Sequence, residues 1–210
     1  MKYIFFFIII IIGGFILFYQ NIKTINNPNS ILVVVNKNNQ LPDNFIPKNL
    51  EKISLKNSNK DKYLVKEARI NFEKLSNDAA KKHLSIIAVS TYRNYQYQEN
   101  LFSNYIKEKG LEHTLKYSAK PGHSEHQTGL AVDVMGSNKD YNLFENTKEF
   151  KWMINNCYKY GFILRYPKGK ENITGFSYEP WHYRYVGKKV AKYIYKNNLT
   201  LEEFIIKRKH

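Results

Sequence analysis

The most hydrophobic part of the chain is its start. Lys2 is followed by an apolar run from Tyr3 to Tyr19 that only two glycines interrupt, and neither a small-residue cleavage site nor a lipid-anchoring cysteine follows it. Such a run lies at the short end of a membrane span and at the long end of a signal-peptide core. The pattern predicts an uncleaved signal-anchor, a transmembrane helix over residues 1–20 with Lys2 in the cytoplasm. Lys23 on the outer flank weakens the charge asymmetry on which this orientation rests.

Beyond this run, polar and apolar positions follow two different periods. Apolar residues three and four positions apart predict helices, and short runs of apolar and β-branched residues predict strands. The predicted helices cover Tyr63–His83, Tyr95–Lys109, Thr147–Tyr160 and Lys188–Asn197, with a terminal helix opened by the capping box Thr200–Glu203. The predicted strands cover Ile31–Val35, Leu84–Val89, Phe162–Tyr166 and Tyr183–Val186. This irregular alternation predicts an α+β fold, with a small, mainly antiparallel sheet flanked by helices.

A polar segment that contains a proline separates the apolar start from the rest of the chain. We interpret residues 21–30 as a linker. The chain has 210 residues, of which 43% are hydrophobic and 24% charged, and this suits one sizeable core rather than two. Residues 31–210 are therefore expected to form a single domain.

Net charge and cysteine content narrow the classes of partner and chemistry. The formal net charge of +15 favours polyanionic partners such as anionic lipid, cell-wall polymers or nucleic acid. The lysines are scattered, so a solvated surface produced by codon bias explains the charge equally well. The sequence has no basic cluster interleaved with aromatic residues, so it does not predict nucleic-acid binding. The single cysteine, Cys157, excludes an intramolecular disulfide and a multi-cysteine metal site, and its helical spacing among apolar residues predicts a buried thiol.

Residues that can ligate a metal collect in two short segments. His123 and His126 stand in a glycine-bounded loop that leads into an apolar stretch carrying Asp133, which is costly to bury unless it is paired or metal-bound. In the second segment, Glu179 precedes His182 by three residues. Two histidines and one aspartate match the ligand set of a catalytic zinc, with a glutamate to take a proton from water. On spacing alone, a buried polar network without metal remains the alternative.

Three longer strings resemble a known family. They are Ser90-Thr-Tyr-Arg93, Ser124-Glu-His126-Gln-Thr-Gly-Leu-Ala-Val-Asp133 and Glu179-Pro-Trp-His182-Tyr-Arg-Tyr-Val-Gly187. In these strings, and in their order and spacing from about Val33 to Val190, the chain closely resembles the VanY-type D-alanyl-D-alanine carboxypeptidases and the related L,D-carboxypeptidases. One position departs from the pattern, because Thr91 stands where the family commonly has glycine. The shape of that loop therefore stays open, while the chemistry does not depend on it.

The resemblance implies a role for each matching residue at the reaction centre. His126, Asp133 and His182 would be the ligands of one zinc ion per chain. Glu179 would be the catalytic base that takes a proton from water, and Arg93 would stabilise the developing oxyanion.

The activity that the resemblance implies is the trimming of peptidoglycan stem peptides. Gln98 and Ser124 match positions where the family contacts the stem peptide, and His123 matches no ligand position. The interpretation is a zinc-dependent D-alanyl-D-alanine carboxypeptidase that releases C-terminal D-alanine. We expect a monomer held in the cell membrane by its N-terminal helix, with the catalytic domain facing the cell wall. Two alternatives remain, an L,D-carboxypeptidase acting on tetrapeptide stems and a non-catalytic wall-binding module.

Overall fold

The protein, seen here in a computed structural model, is described over residues 23–138, 140 and 143–208. Within these ranges the strands are β1 Lys23–Thr24, β2 Asn39–Gln40, β3 Leu50–Lys52, β4 Tyr63–Val65, β5 Ile87–Ser90, β6 Ala131–Met135, β7 Phe162–Leu164 and β8 His182–Tyr185. The α-helices are α1 Lys66–Ala80, α2 Tyr95–Lys109, α3 Leu111–Tyr117, α4 Lys148–Asn156, α5 Glu171–Thr174, α6 Lys188–Lys196 and α7 Leu201–Lys207. Short 3-10 helices lie at Leu55–Asn57, Glu125–Thr128, Phe144–Asn146 and Cys157–Tyr160.

The central element is a four-stranded sheet. Its strand order is β5-β6-β8-β7, and each neighbouring pair is antiparallel. Strands β3 and β4 form a separate antiparallel pair, whereas β1 and β2 pair in parallel. The prediction of an α+β fold with a small, mainly antiparallel sheet is confirmed.

The central sheet has an apolar face and a second face, called the polar face, on which charged and polar side chains are buried. Side chains alternate between the two faces along a strand, so every second residue of β6 and β8 points the same way. Val132, Val134, Tyr183 and Tyr185 belong to the main core, against which α1 packs through Ala68, Phe72, Leu75 and Ala79. The alternate positions, which include Asp133, His182 and Arg184, are also buried. The second face of the sheet is therefore covered as well, and beside these polar side chains it carries the buried apolar residues Ala131 and Ile163.

The prediction of a transmembrane helix is not supported. In the described part of the chain, no helix combines the length and the hydrophobicity that a bilayer crossing requires. The helices α1 and α2 have 15 residues each, which is about 22 Å at 1.5 Å per residue and short of a hydrocarbon core of about 30 Å. Residues 1–20, on which the prediction rested, lie outside the described residues. The fold class is corrected to an α+β domain, and the single-pass membrane localisation is not supported either.

The predicted strand Ile31–Val35 is wrong, although its pattern of burial is informative. Val33 and Val35 are buried in a small cluster with Leu41, yet the segment runs as turn and irregular chain. The carbonyl oxygens of Ile31 and Val33 accept hydrogen bonds from Arg184 Nη2 at 3.1 and 2.9 Å. A buried side chain therefore satisfies backbone groups that a neighbouring strand would otherwise have bound.

Candidate active site

A cleft of about 510 Å³ opens along one end of the central sheet. The polar face of the sheet forms its floor, and residues of α2 and α3 form the opposite wall. Six of the seven site residues that the sequence predicts line this cleft, namely Arg93, Ser124, His126, Asp133, Glu179 and His182. The structure thus brings together residues that are up to 89 positions apart in the chain, counted from Arg93 to His182.

Three of these side chains converge on one point of the floor. Asp133 and His182 are direct cross-strand partners in β6 and β8, so their side chains lie side by side. His126 comes from the 3-10 helix before β6, which ends at Gly129 in the left-handed region, at φ 66°. One ligand atom from each of the three residues lies within 4.8 Å of the others, and all three residues are buried. The group could hold a metal ion.

Different partners orient the two histidines. His126 Nδ1 lies 2.8 Å from the carbonyl oxygen of Thr91, which can only accept, so Nδ1 carries the proton and Nε2 faces Asp133 Oδ2 at 3.3 Å. His182 is turned the other way, with Nδ1 2.9 Å from Asp133 Oδ1 and Nε2 3.7 Å from Glu125 Oε2. Asp133 Oδ1 is buried, and it has no hydrogen-bond partner among the residues that the structure describes. Lone pairs that meet at short distance without aligned hydrogen bonds fit a shared metal ion, and two imidazole nitrogens with a carboxylate oxygen suit zinc.

Burial and neighbouring charges shift the pKa values of these three residues in different directions. Burial lowers the pKa of His126 to about 4. Burial also acts to lower the pKa of His182, but the carboxylates of Asp133 and Glu125 outweigh it and raise this pKa to about 9. For Asp133, burial acts to raise the pKa, yet the two histidines hold it well below its usual range. At neutral pH His126 and Asp133 are therefore in their ligand forms, while His182 must release a proton to bind metal.

Glu179 and Arg93 lie beside this group. Glu179 Oε2 is 3.6 Å from His182 Nδ1, and burial raises the pKa of the Glu179 carboxyl to about 7. Such a carboxyl can accept and return a proton near neutral pH. Arg93 Nη1 donates to Ser90 Oγ at 2.8 Å, while its buried Nε has no hydrogen-bond partner within the described part of the chain. The guanidinium therefore keeps donor capacity for an anionic group in the cleft.

The two predicted substrate contacts differ in position. Ser124 lines the cleft, where its Oγ accepts from the His126 backbone N–H at 3.3 Å and lies 3.5 Å from Arg93 Nη2. Gln98 is buried behind the wall rather than on it, and its Nε2 donates to the Ala119 carbonyl at 2.7 Å. Ala119 itself lines the cleft. Gln98 therefore reaches the cleft only through the backbone segment that it holds.

Beneath the floor lies a buried charged cluster that was not predicted from the sequence. Glu125 is fully covered and pairs with Arg165 and Arg184, whose side chains are both 0% exposed. Burial acts to raise the pKa of Glu125, but the two guanidinium groups hold it well below its usual range. The sequence does contain a signal for this cluster. Arg184 stands between Tyr183 and Tyr185, just as Asp133 stands between two valines. A charged residue inside an apolar strand therefore indicates the charged cluster as well as the His/Asp/His group.

The chain is similar to several known peptidases, in sequence and in structure. The LD-carboxypeptidase LdcB has a solved structure with 44% sequence identity and a TM-score of 0.82, over 89% of this chain and 91% of that one. A variant of the vancomycin resistance D,D-pentapeptidase VanY from a VanB-type cassette, solved in complex with Zn(II), has 33% identity and a TM-score of 0.70, over 83% of this chain and 98% of that one. The bifunctional D-Ala-D-Ala dipeptidase and carboxypeptidase VanXYC of Enterococcus gallinarum is 39% identical over 178 residues, which are 82% of this chain and 92% of that protein.

The fold and the floor of the cleft first define a class. A buried His/Asp/His group next to a carboxyl with a pKa near neutrality has the composition of a metal-dependent hydrolase site. The sequence also matches the VanY family of D-alanyl-D-alanine carboxypeptidases over residues 61–188, which is more than half of the chain. The chain belongs to this family.

Proposed function

We propose that the protein is a zinc-dependent carboxypeptidase that releases the C-terminal D-alanine of peptidoglycan stem peptides. The observation that carries the proposal is the convergence of three nitrogen and oxygen ligands, a buried carboxyl and a guanidinium in one cleft. A wall-binding module without activity would have no need for a carboxyl whose pKa is raised toward neutrality by burial. The proposal therefore favours an enzyme over the non-catalytic alternative.

Zinc is the metal that this ligand set suits. His126 Nε2, Asp133 and His182 Nδ1 would hold the ion, and three protein ligands leave a position for water or substrate. The related VanY variant solved in complex with Zn(II) supports this choice. When bound, zinc supplies Lewis acidity, which makes a water more acidic and polarises a carbonyl.

The remaining steps are assigned to side chains of this chain. Glu179 accepts the proton of the attacking water and later delivers it to the leaving amine, because its pKa of about 7 permits both transfers. Arg93 donates to the oxyanion that forms on the scissile carbonyl, with Ser90 holding the guanidinium in place. Ser124 lies close enough to both His126 and Arg93 to contact the peptide between them.

Gln98 has an indirect part in this proposal. Because its amide is buried and bonded to Ala119, it supports the wall of the cleft instead of reaching the substrate itself. The Ser118–Ala119 segment would then present its backbone to the peptide.

The second candidate differs in the bond that is cut. A D,D-carboxypeptidase removes the last residue of pentapeptide stems, whereas an L,D-carboxypeptidase removes D-alanine from tetrapeptide stems. The VanY and VanXYC relatives support the first activity, and the 44% identity to the LD-carboxypeptidase LdcB favours the second as a specific alternative. Both activities use the same reaction centre, so pocket shape decides between them.

One experiment tests the proposal and separates the two candidates. The full-length protein, loaded with one equivalent of zinc, is incubated with synthetic penta- and tetrapeptide stems, and released D-alanine is quantified. We expect release from the pentapeptide, and release from the tetrapeptide alone would establish the L,D alternative. No release from either peptide by the zinc-loaded protein would overturn the proposal.

A further inference from the structure

The buried carboxylate of Glu125 uses its two oxygen atoms differently. Oε1 accepts from Arg165 Nε at 2.8 Å and from Arg184 Nη1 at 2.7 Å. Oε2 is buried, and no described residue forms a hydrogen bond with it. It faces Nε2 of His182 at 3.7 Å, and that nitrogen is also buried and has no hydrogen bond to any other described residue. Two orphaned polar atoms therefore face each other, one a ring nitrogen of a proposed ligand and the other an oxygen that can accept.

The surrounding structure holds this carboxylate firmly in place. Arg165 reaches Glu202 of α7 through both Nη atoms, at 2.9 and 2.5 Å. Arg184 is held by backbone carbonyls, including those of Ile31 and Val33. Two buried guanidinium groups keep Glu125 ionised, so both of its oxygens are acceptors only. Oε2 consequently offers the His182 ring a fixed acceptor on the side away from Asp133.

We propose that Glu125 is a positioning residue that fixes the tautomer and the ring orientation of His182 for metal binding. A neutral imidazole carries one N–H, and an ionised acceptor beside Nε2 holds that proton there. Nδ1 is then left with its lone pair toward Asp133 Oδ1, from which it lies 2.9 Å away. The Thr91 carbonyl does the same for His126 through the opposite ring nitrogen. Carboxylate–histidine–metal arrangements of this kind raise metal affinity. The inference rests on the proposed metal site.

A glutamine at position 125 would reverse this effect. Its carbonyl oxygen is needed by the two arginines, so its NH₂ group would face His182 Nε2 and donate to it. The ring proton would then be favoured on Nδ1, where it blocks the metal. Glu202 gives a matched control, because Glu202→Gln removes a carboxylate from the same Arg165 without facing His182.

The test measures zinc dissociation constants of the full-length wild type, Glu125→Gln and Glu202→Gln by competition with a chromophoric chelator. We expect about 10–100-fold weaker binding for Glu125→Gln, as for other partners that orient metal ligands, and an unchanged constant for Glu202→Gln. Equal weakening in both variants, or none in a folded Glu125→Gln, would overturn the inference. If the wild type binds no zinc, the proposed function fails instead, so the two failures are distinguishable.

A second measurement does not depend on whether Glu125→Gln folds. In the zinc-loaded wild type, long-range ¹H–¹⁵N spectra of the histidine rings report which nitrogen carries the proton. We expect His182 to be protonated at Nε2 and His126 at Nδ1, so that the two rings bind metal through opposite nitrogens. Protonation of His182 at Nδ1 in the loaded protein would refute the positioning role of Glu125.

Discussion

The floor and the wall of the cleft are built in different ways. On the floor, His126, Asp133 and His182 are buried and lie on strands or on a turn that leads into one. On the wall, Tyr97 and Tyr117 are each 58% exposed and lie on helices. The floor is preorganised, because neighbouring groups restrain its side chains, whereas the exposed tyrosines of the wall have fewer neighbours to restrain them. Under the proposed function, the comparison assigns the chemistry to the restrained floor and peptide recognition to the more exposed wall.

The two regions also differ in what lies behind them. Behind the floor, Glu125 and its two arginines fill the space with paired charges. Behind the wall, Gln98 makes a short hydrogen bond to Ala119, while its Oε1 is buried and has no partner over residues 23–138, 140 and 143–208. A substitution that removes one charged side chain behind the floor therefore leaves its partner's charge unpaired. A substitution of Gln98 behind the wall leaves at most a neutral polar group unpaired. Unpaired charges are the more costly of the two.

The largest effect is expected from Asp133→Ala. The substitution removes one of three proposed ligands, and the negative charge that draws both histidines together. We expect zinc to be lost during purification and D-alanine release to fall to background, as measured by elemental analysis and by a peptide assay. Ser124→Ala, at a cleft position that supplies no ligand, is the matched control and should retain its zinc. A fully loaded Asp133→Ala protein would show that this aspartate is not a ligand.

The next effect is expected from Glu179→Gln. The amide keeps the size of the side chain but cannot accept a proton, so kcat should fall by about 10²–10⁴-fold. Zinc content should stay at the wild-type level, because Glu179 is proposed as a base and not as a ligand. Loss of the metal would make Glu179 a ligand, and near-normal turnover would make it a bystander.

Arg93→Lys should have a somewhat smaller effect. A lysine keeps the charge but lacks the planar fork with which arginine donates to Ser90 and to an oxyanion at the same time. Loss of one oxyanion donor typically costs about 10²–10³-fold in kcat. The control Ser90→Ala removes only the group that holds the guanidinium, so its loss in kcat should be smaller. If Ser90→Ala were as impaired as Arg93→Lys, placement of the arginine would matter more than its chemistry.

The same contrast explains how far the sequence could predict the molecule. The floor was predictable because Asp133 and His182 are charged or polar residues inside apolar strands. Burying such side chains costs free energy unless they are paired or bound to a metal. Asp133 and His182 meet through strand pairing, and His126 joins them from the 3-10 helix before β6. The resemblance implied this grouping, and the spacing alone did not. The α+β class followed from periodicity. By contrast, Ile31–Val35 has the composition of a strand but does not join a sheet, and its long-range hydrogen bonds with Arg184 cannot be foreseen from local sequence.

The wall was not predictable in the same way. Helix α2 shows only an amphipathic pattern in the sequence, and tyrosines on such a helix are normally core or surface residues. Gln98 was predicted to contact substrate, but its side chain turns toward Ala119, a contact between residues 21 positions apart. Glu125 was hidden for the opposite reason. It lies within the recognised motif, but its role depends on two arginines that come from β8 and from the segment after β7.

The smallest effect is expected from Tyr97→Ala, on the wall. The side chain is largely exposed, so truncation should change the free energy of unfolding by no more than about 0.5 kcal/mol. It should leave the zinc dissociation constant unchanged and raise KM for a stem peptide more than it lowers kcat, since uniform binding is lost and not stabilisation of the transition state. Steady-state kinetics with the same peptide and a zinc competition assay check both points. A large fall in kcat with unchanged KM would mean that the wall takes part in the chemistry, and the division between a fixed floor and an adaptable wall would not hold.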